Sequence, residues 1–240
     1  MSYAAITFGD RNPLKRWLQR QRLVTAAELA GPRIGAPRVL CDFGAGNGEL
    51  CKLLAERYQA ARIICYEPAA QLLAEARENL KSVGRVEFRG DIHGVTPGTV
   101  DAVFCLEVFE HLPPEETDAA LRAISSLLRP NGVIVIGVPV EIGLPALYKG
   151  LFRMSRRYGA FDATPRNIVA SFLGHAPGNR PIAELAPGLR FHHDHVGFDF
   201  RRFGDTLQRH FEAIEISASP VAALGTGLMP EAYFVGENPK

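Results

Sequence analysis

The sequence predicts an α/β protein built on an open, doubly wound, mostly parallel sheet. Three observations carry this reading. From Arg38 onward, apolar runs of strand length alternate with stretches in which leucines recur at helical spacing. A glycine-rich segment, Gly44-Ala45-Gly46-Asn47-Gly48, stands where the first such run meets the first such helix. The most apolar run, Gly132 to Pro139, contains a fifth strand that reads as buried.

Residues 1–36 form a polar leader with one helix. Asn12 followed by Pro13 is a start signal, because proline suits the first helical position. Leu14, Trp17, Leu18 and Gln21 share one face, and Lys15, Arg16, Arg20 and Arg22 the other. The runs 38–43, 61–66, 85–89, 100–106 and 133–138 are the first five strands. Helices are expected over 49–58 through Leu50, Leu53 and Leu54, and over 68–82 through Leu72, Leu73, Ala76 and Leu80. A third helix, 114–128, carries Glu115, Glu116 and Asp118 in its first turn and is stopped by Arg129-Pro130-Asn131-Gly132. The rhythm breaks at Pro139. Residues 140–198, rich in Gly and Pro, form an insertion beside the carboxyl end of the fifth strand, the edge at which open α/β sheets bind ligands. Segments of this kind serve as lids or pocket walls. A helix over 200–210 and strands near 212–217 and 232–236 follow. The whole of 1–240 reads as a single domain.

A chain of 240 residues with 47% hydrophobic and 22% charged residues can bury a full core. Its 27 basic and 26 acidic residues give a net charge of +1, which argues against a general nucleic-acid binder. Met1 to Asp10 lacks a basic segment followed by a long apolar run, so no secretory signal is expected. The apolar run 132–139 is too short to span a bilayer. Cys41, Cys51, Cys65 and Cys105 show no metal-ligand spacing and read as reduced core residues, which fits a cytoplasmic location.

The glycines follow G-x-G-x-G, whereas the dinucleotide fingerprint places a third small residue where this chain has Glu49. A carboxylate at Asp42, just before the turn, suits a cationic ligand better than a pyrophosphate. Glu67, 19 residues after Gly48 at the tip of the second strand, can accept both hydroxyls of a ribose. Asp91 follows the third strand, where it either takes an adenine amino group or forms a turn in Arg89-Gly90-Asp91. The candidate bases are His111, after the fourth strand, and His195, in the run His192-His193-Asp194-His195. Glu141, just past the fifth strand, either orients an acceptor group or sits on the surface, and Tyr148 is a weaker candidate of the same kind. No metal site is assigned: His193 and His195 share a face only in an extended segment, from which His192 points away.

Several motifs resemble, in order, those of class I S-adenosylmethionine-dependent methyltransferases. They are the run 39–48, Glu67, Gly90-Asp91, Phe104-Cys105-Leu106-Glu107-Val108-Phe109-Glu110-His111-Leu112, and Leu128-Arg129-Pro130-Asn131-Gly132. The likeness covers roughly residues 38–139 and is to the branch that acts on small molecules. It implies a Rossmann-like seven-stranded sheet with an antiparallel last strand. It implies S-adenosylmethionine as cofactor, with Asp42, Gly44, Ala45, Gly46 and Gly48 at its methionine end. Glu67 with Pro68 would serve the ribose, Asp91 with Ile92 the adenine, and Leu106 with Glu107 the neighbourhood of the methyl group. The expected reaction moves that methyl in line to an O, N or C nucleophile of a small molecule. Methyltransferases of adenine bases or glutamine amides carry an Asn/Asp-Pro-Pro-Tyr/Phe motif where this chain reads Leu106-Glu107-Val108-Phe109, which disfavours those acceptors and nucleic acid. The alternatives are a nicotinamide-dependent oxidoreductase on a related sheet and a non-catalytic S-adenosylmethionine-binding protein. Residues 144–157 read as a basic amphipathic helix, which either presents a solvated face, touches a membrane surface or binds an anionic or lipid-linked acceptor. The acceptor and the oligomeric state are not legible in the sequence.

Overall fold

The computed structural model describes residues 13–186 and 188–240. The expectations for Met1–Asp10 and for Asn12 as a helix start fall outside the described residues, as do the side chains of Leu14 and Lys15. The chain runs α1 (Pro13–Ile34), β1 (Val39–Phe43), α2 (Glu49–Arg57), β2 (Arg62–Tyr66), α3 (Ala70–Asn79), β3 (Val86–Arg89), β4 (Val100–Leu106), α4 (Pro114–Leu127) and β5 (Leu128–Pro139). There follow α5 (Leu144–Arg157), α6 (Pro165–Phe172), β6 (Ala183–Ala186), β7 (Leu189–Phe191), α7 (Phe200–Leu207), β8 (Phe211–Ser219) and β9 (Glu231–Pro239).

One seven-stranded sheet has the order β3-β2-β1-β4-β5-β9-β8. Strands β1 to β5 pair in parallel, and β9 runs antiparallel to both neighbours, as the resemblance implied. The order reverses between β1 and β4, so a crevice opens at the carboxyl ends of those strands. β5 begins before the expected Val133, at Leu128. Its register on β4 slips between Val100 and Ala102, and Asn131 takes a positive φ of 65°, so the expected helix stop is an irregular strand entry.

Each face of the sheet carries a core. Beneath one lie Leu121, Ile124 and Leu127 of α4 with Phe203 and Leu207 of α7. Beneath the other lie Leu50 and Leu54 of α2, Ala76 of α3 and Ala26, Ala27 and Ala30 of α1. The small alanines let α1 approach the sheet closely. Over Pro13–Ile34 this corrects the reading of a polar leader: the helix is part of the core, its expected apolar Trp17 is half-exposed, and Arg22 turns inward. The insertion 140–198 folds into α5, α6 and a separate β6–β7 hairpin. All four cysteines are free and buried. Among the described residues no helix is long and apolar enough to cross a membrane.

Leu54 is fully buried between α2 and the sheet. Leu54→Ala should cost about 2–5 kcal/mol, measured as a lower urea midpoint at an unchanged slope.

Candidate active site

The crevice at the carboxyl edge is a cleft of about 480 Å³. It forms because β1 ends in a turn that no chain of ordinary L-residues adopts freely. Gly44, Gly46 and Gly48 all have positive φ, at 79°, 54° and 81°. The amides of Gly44 and Ala45 both donate to the Tyr66 carbonyl at 2.9 Å, which ties the turn to the end of β2. A Cβ on Gly46 would meet nothing within 4 Å, so this position leaves backbone open to a ligand. A Cβ on Gly48 would lie 2.6 Å from Leu80 Cδ1. Gly48 therefore serves the packing of α2 against α3 rather than the cleft, which corrects its assignment as a ligand contact.

Glu67 holds the turn from below. Its Oε2 accepts from the Gly46 amide and its Oε1 from the Ala69 amide, both at 2.9 Å. Burial raises its pKa, and those two amides oppose the rise. Asp42 is buried beside it and accepts a 3.3 Å bond from Cys51 Sγ. Burial, reinforced by the Glu67 charge and opposed by the Cys51 bond, pushes Asp42 up to about 7. Asp42, Gly44, Ala45, Gly46, Glu67, Pro68, Ile92, Leu106 and Glu107 all line the cleft. Asp91 does not: it is exposed, and its Oδ1 accepts from the His93 amide at 3.0 Å, which is the turn-forming reading of that residue.

The far side of the cleft begins with Glu107, whose backbone takes a positive φ of 56° right after β4. A non-glycine residue held there stores strain of order 1–3 kcal/mol, a feature that gathers at functional sites. Its Oε2 pairs with Arg22 Nη1 at 3.1 Å, while Arg22 Nη2 reaches Glu231 Oε1 at 2.6 Å. Burial lifts Glu107 to about 8 despite Arg22, with Glu231 adding to the rise. Among the described residues, the buried cleft atoms Gln19 Oε1, Asn47 Nδ2 and Glu107 Oε1 have no hydrogen-bond partner. An open glycine backbone, buried carboxylates and these orphaned atoms fit a ligand that carries cationic and hydroxyl groups.

His111 also lines the cleft, stacked on Phe191 with ring centroids 4.4 Å apart. Its Nδ1 lies 2.6 Å from the His192 carbonyl, and the His192 amide donates back to the His111 carbonyl at 2.8 Å. Nδ1 therefore carries the proton and Nε2 the lone pair. His195 Nε2 lies 3.2 Å from His111 Nε2. Burial holds both rings neutral, at about 4 for His111 and about 3 for His195. His193 is exposed and meets Phe191 edge-on, with ring centroids 5.3 Å apart.

Glu141 is neither on the surface nor in the cleft. It is fully buried and accepts from both Arg153 guanidinium nitrogens at 2.7 Å and from Lys149 Nζ at 3.1 Å. Burial raises its pKa, but Lys149 and Arg153 outweigh burial and hold it at about 2. With its oxygens consumed, Glu141 is no candidate base. Tyr148 is partly exposed and reaches only the Leu228 carbonyl, at 3.4 Å. The basic face of α5 is also largely consumed, since Arg153 and Arg157 pair with Glu141 and Asp162. Arg22 and Gln19 of α1 escaped sequence reading because a basic helix face ordinarily faces solvent.

Residues 40–132 match a family described as a methyltransferase domain. The chain is 29% identical to the trans-aconitate 2-methyltransferase of Azoarcus sp. (strain BH72), over 97% of this chain and 85% of that one. It is 33% identical to the ubiquinone biosynthesis O-methyltransferase of Xanthomonas euvesicatoria pv. vesicatoria, over 47% of this chain and 45% of that one. Residues 40–132 thus resemble a methyltransferase domain, and they lie on the sheet expected of class I methyltransferases. The matched methyltransferase domain favours S-adenosylmethionine over a nicotinamide cofactor at this cleft. Apart from the trans-aconitate relative, the match spans about half or less of the first curated relatives' length. In fold, the chain also resembles a solved Burkholderia thailandensis 1,6-didemethyltoxoflavin-N1-methyltransferase holding 1,6-didemethyltoxoflavin and S-adenosylhomocysteine. That TM-score is 0.56 at 15% identity, covering 98% of this chain and 85% of that one.

Gly46 and Gly48 separate by test. Gly48→Ala should lower the melting temperature markedly, because strain adds to the clash with Leu80. Gly46→Ala should cost only the left-handed strain, roughly 1–2 kcal/mol, yet weaken S-adenosylhomocysteine binding in a calorimetric titration.

Proposed function

We propose that this methyltransferase transfers the methyl group of S-adenosylmethionine, in line, to an O, N or C nucleophile of a small-molecule acceptor. The cofactor supplies a methyl already activated on a positively charged sulfur. The chain's task is then placement, and orientation alone can lower the barrier by about 7–11 kcal/mol. The observation that carries this reading is the convergence of Asp42, Glu67, Glu107 and an open Gly46 backbone on one cleft.

In this reading Asp42 and the glycine turn hold the amino-acid end and Glu67 accepts the ribose hydroxyls. Ile92 packs on the adenine, and Pro68 lies beside Glu67 in the same wall. Leu106 and Glu107 border the methyl group. Arg22 fixes Glu107 through their ion pair, so α1 closes the site from above. The acceptor side falls to His111 and Phe191, with His195 behind His111. Residues 140–198 supply that wall through Leu189 and Phe191 of β7, which is why we assign the insertion to acceptor recognition. Two relatives are named for small-molecule work, one for trans-aconitate and one for O-methylation in ubiquinone biosynthesis, which supports a small-molecule acceptor here. The exposed apolar face of α5, with Leu151 and Phe152 beside Arg156, supports a lipid-linked acceptor or peripheral membrane contact.

Glu67→Ala should weaken S-adenosylhomocysteine binding at least about tenfold, near 1.4 kcal/mol, in a calorimetric titration; unchanged affinity would remove Glu67 from the site. Asp42 predicts a pH dependence of known sign. Its pKa in the free protein is raised to about 7, and a cationic ligand needs the ionised form. Affinity for S-adenosylhomocysteine should therefore rise between about pH 5 and about pH 7, by up to tenfold per unit. Asp42→Asn should bind weakly and flatten that rise.

A further inference from the structure

We propose that Glu110, His111 and His195 form a site for one divalent first-row transition metal ion beside the acceptor end of the cleft. Three ligand atoms converge there. His111 Nε2 and His195 Nε2 are 3.2 Å apart, and Glu110 Oε1 lies 3.7 Å from the first and 3.9 Å from the second. A point equidistant from all three is about 2.1 Å from each, which matches metal–nitrogen and metal–carboxylate distances of about 2.0–2.2 Å. Two imidazoles and one carboxylate are a donor set of the open type, with three protein ligands and room for a further one.

The second observation is independent of this spacing. Glu110 is fully buried, and among the described residues neither of its carboxylate oxygens has a hydrogen-bond partner. A buried carboxylate without a partner costs several kcal/mol, and a cation between it and the imidazoles offsets that cost. The support around the ligands is also that of a metal centre. His111 gives its Nδ1 proton to the His192 carbonyl, which fixes the tautomer and turns the Nε2 lone pair toward the site. Phe191 stacks on the ring and fixes its plane. Arg180 Nη2 donates to the carbonyls of Glu110 and Asp194, at 2.5 and 2.6 Å, and so ties together the two loops that carry the ligands.

The site differs from the one weighed within the His192–His195 run, where no arrangement converged. Its ligands come from two loops separated by more than 80 residues, so spacing along the sequence concealed it. The two imidazoles become ligands rather than the general bases that their sequence positions suggest. Because His111 lines the cleft, a metal ion here stands where an acceptor oxygen can reach it.

The test uses the full chain without an affinity tag, stripped with a chelator and then freed of it. It is titrated with Zn2+ alone and, separately, with Mn2+ alone, by calorimetry. One ion per chain is expected for at least one metal. Glu110→Gln, His111→Ala and His195→Ala should each weaken binding at least about tenfold, by the scale of losses at metal sites. His193→Ala, at an exposed ring, should bind as the wild type does. S-adenosylhomocysteine binding by His195→Ala reports folding separately, since His195 does not line the cleft, and it also keeps a failure of the metal site distinct from a failure of the methyltransferase reading. If Glu110→Gln does not fold, His195→Ala decides. Absence of stoichiometric binding of both metals, or wild-type binding by His111→Ala and His195→Ala, overturns the proposal.

Discussion

Buried negative charge at the carboxyl edge of the sheet is the constraint on which the site depends. Asp42, Glu67, Glu107, Glu110 and Glu231 come from the ends of different strands and the loops beyond them, and each is wholly or largely removed from water. Carboxylates in such a place either take up protons or find cations. The chain does some of each. Arg22 bridges Glu107 and Glu231, which is why α1 is drawn across the edge of the sheet. Asp42 and Glu107 remain high in pKa and so are incompletely neutralised by protein groups. The deficit faces the cleft. A cofactor that carries positive charge and no phosphate meets it, whereas a dinucleotide would add to it.

The same constraint separates the two halves of the site. On the glycine side, Glu67 is satisfied by backbone amides of Gly46 and Ala69, so the turn is rigid before a ligand arrives. On the histidine side, Glu110 has no such partners among the described residues, and burial holds the imidazoles near it neutral. One half is preorganised by hydrogen bonds within the protein. The other is assembled around an interaction that the protein's own groups do not complete.

These halves were unequally legible in the sequence. The sheet was readable because each strand and helix carries its own period, and β4 matches its expected bounds at both ends. The glycine turn was readable because positive φ restricts residue choice, so Gly44, Gly46 and Gly48 stand out. Asp42 and Glu67 were readable because they sit at fixed offsets from that turn. Glu141 was not, since nothing local shows that Arg153, one turn beyond Lys149 on α5, will fold back onto it. Arg22 looked like part of a solvated basic face because its partners lie in β9 and after β4. Ion pairs between distant segments leave no periodic trace.

The histidine cluster shows why long-range placement carries the specificity that local pattern cannot. His111 follows β4 at the carboxyl edge of the sheet, but its orientation is fixed by the backbone of His192, and its neighbour His195 belongs to the insertion. The insertion thus brings His192 and His195 to His111, while the sheet and its turns carry Asp42, Gly46 and Glu67. A scaffold divided in this way can keep one cofactor chemistry and vary its acceptor, with the unsatisfied Glu110 carboxylate lying at the seam between the two.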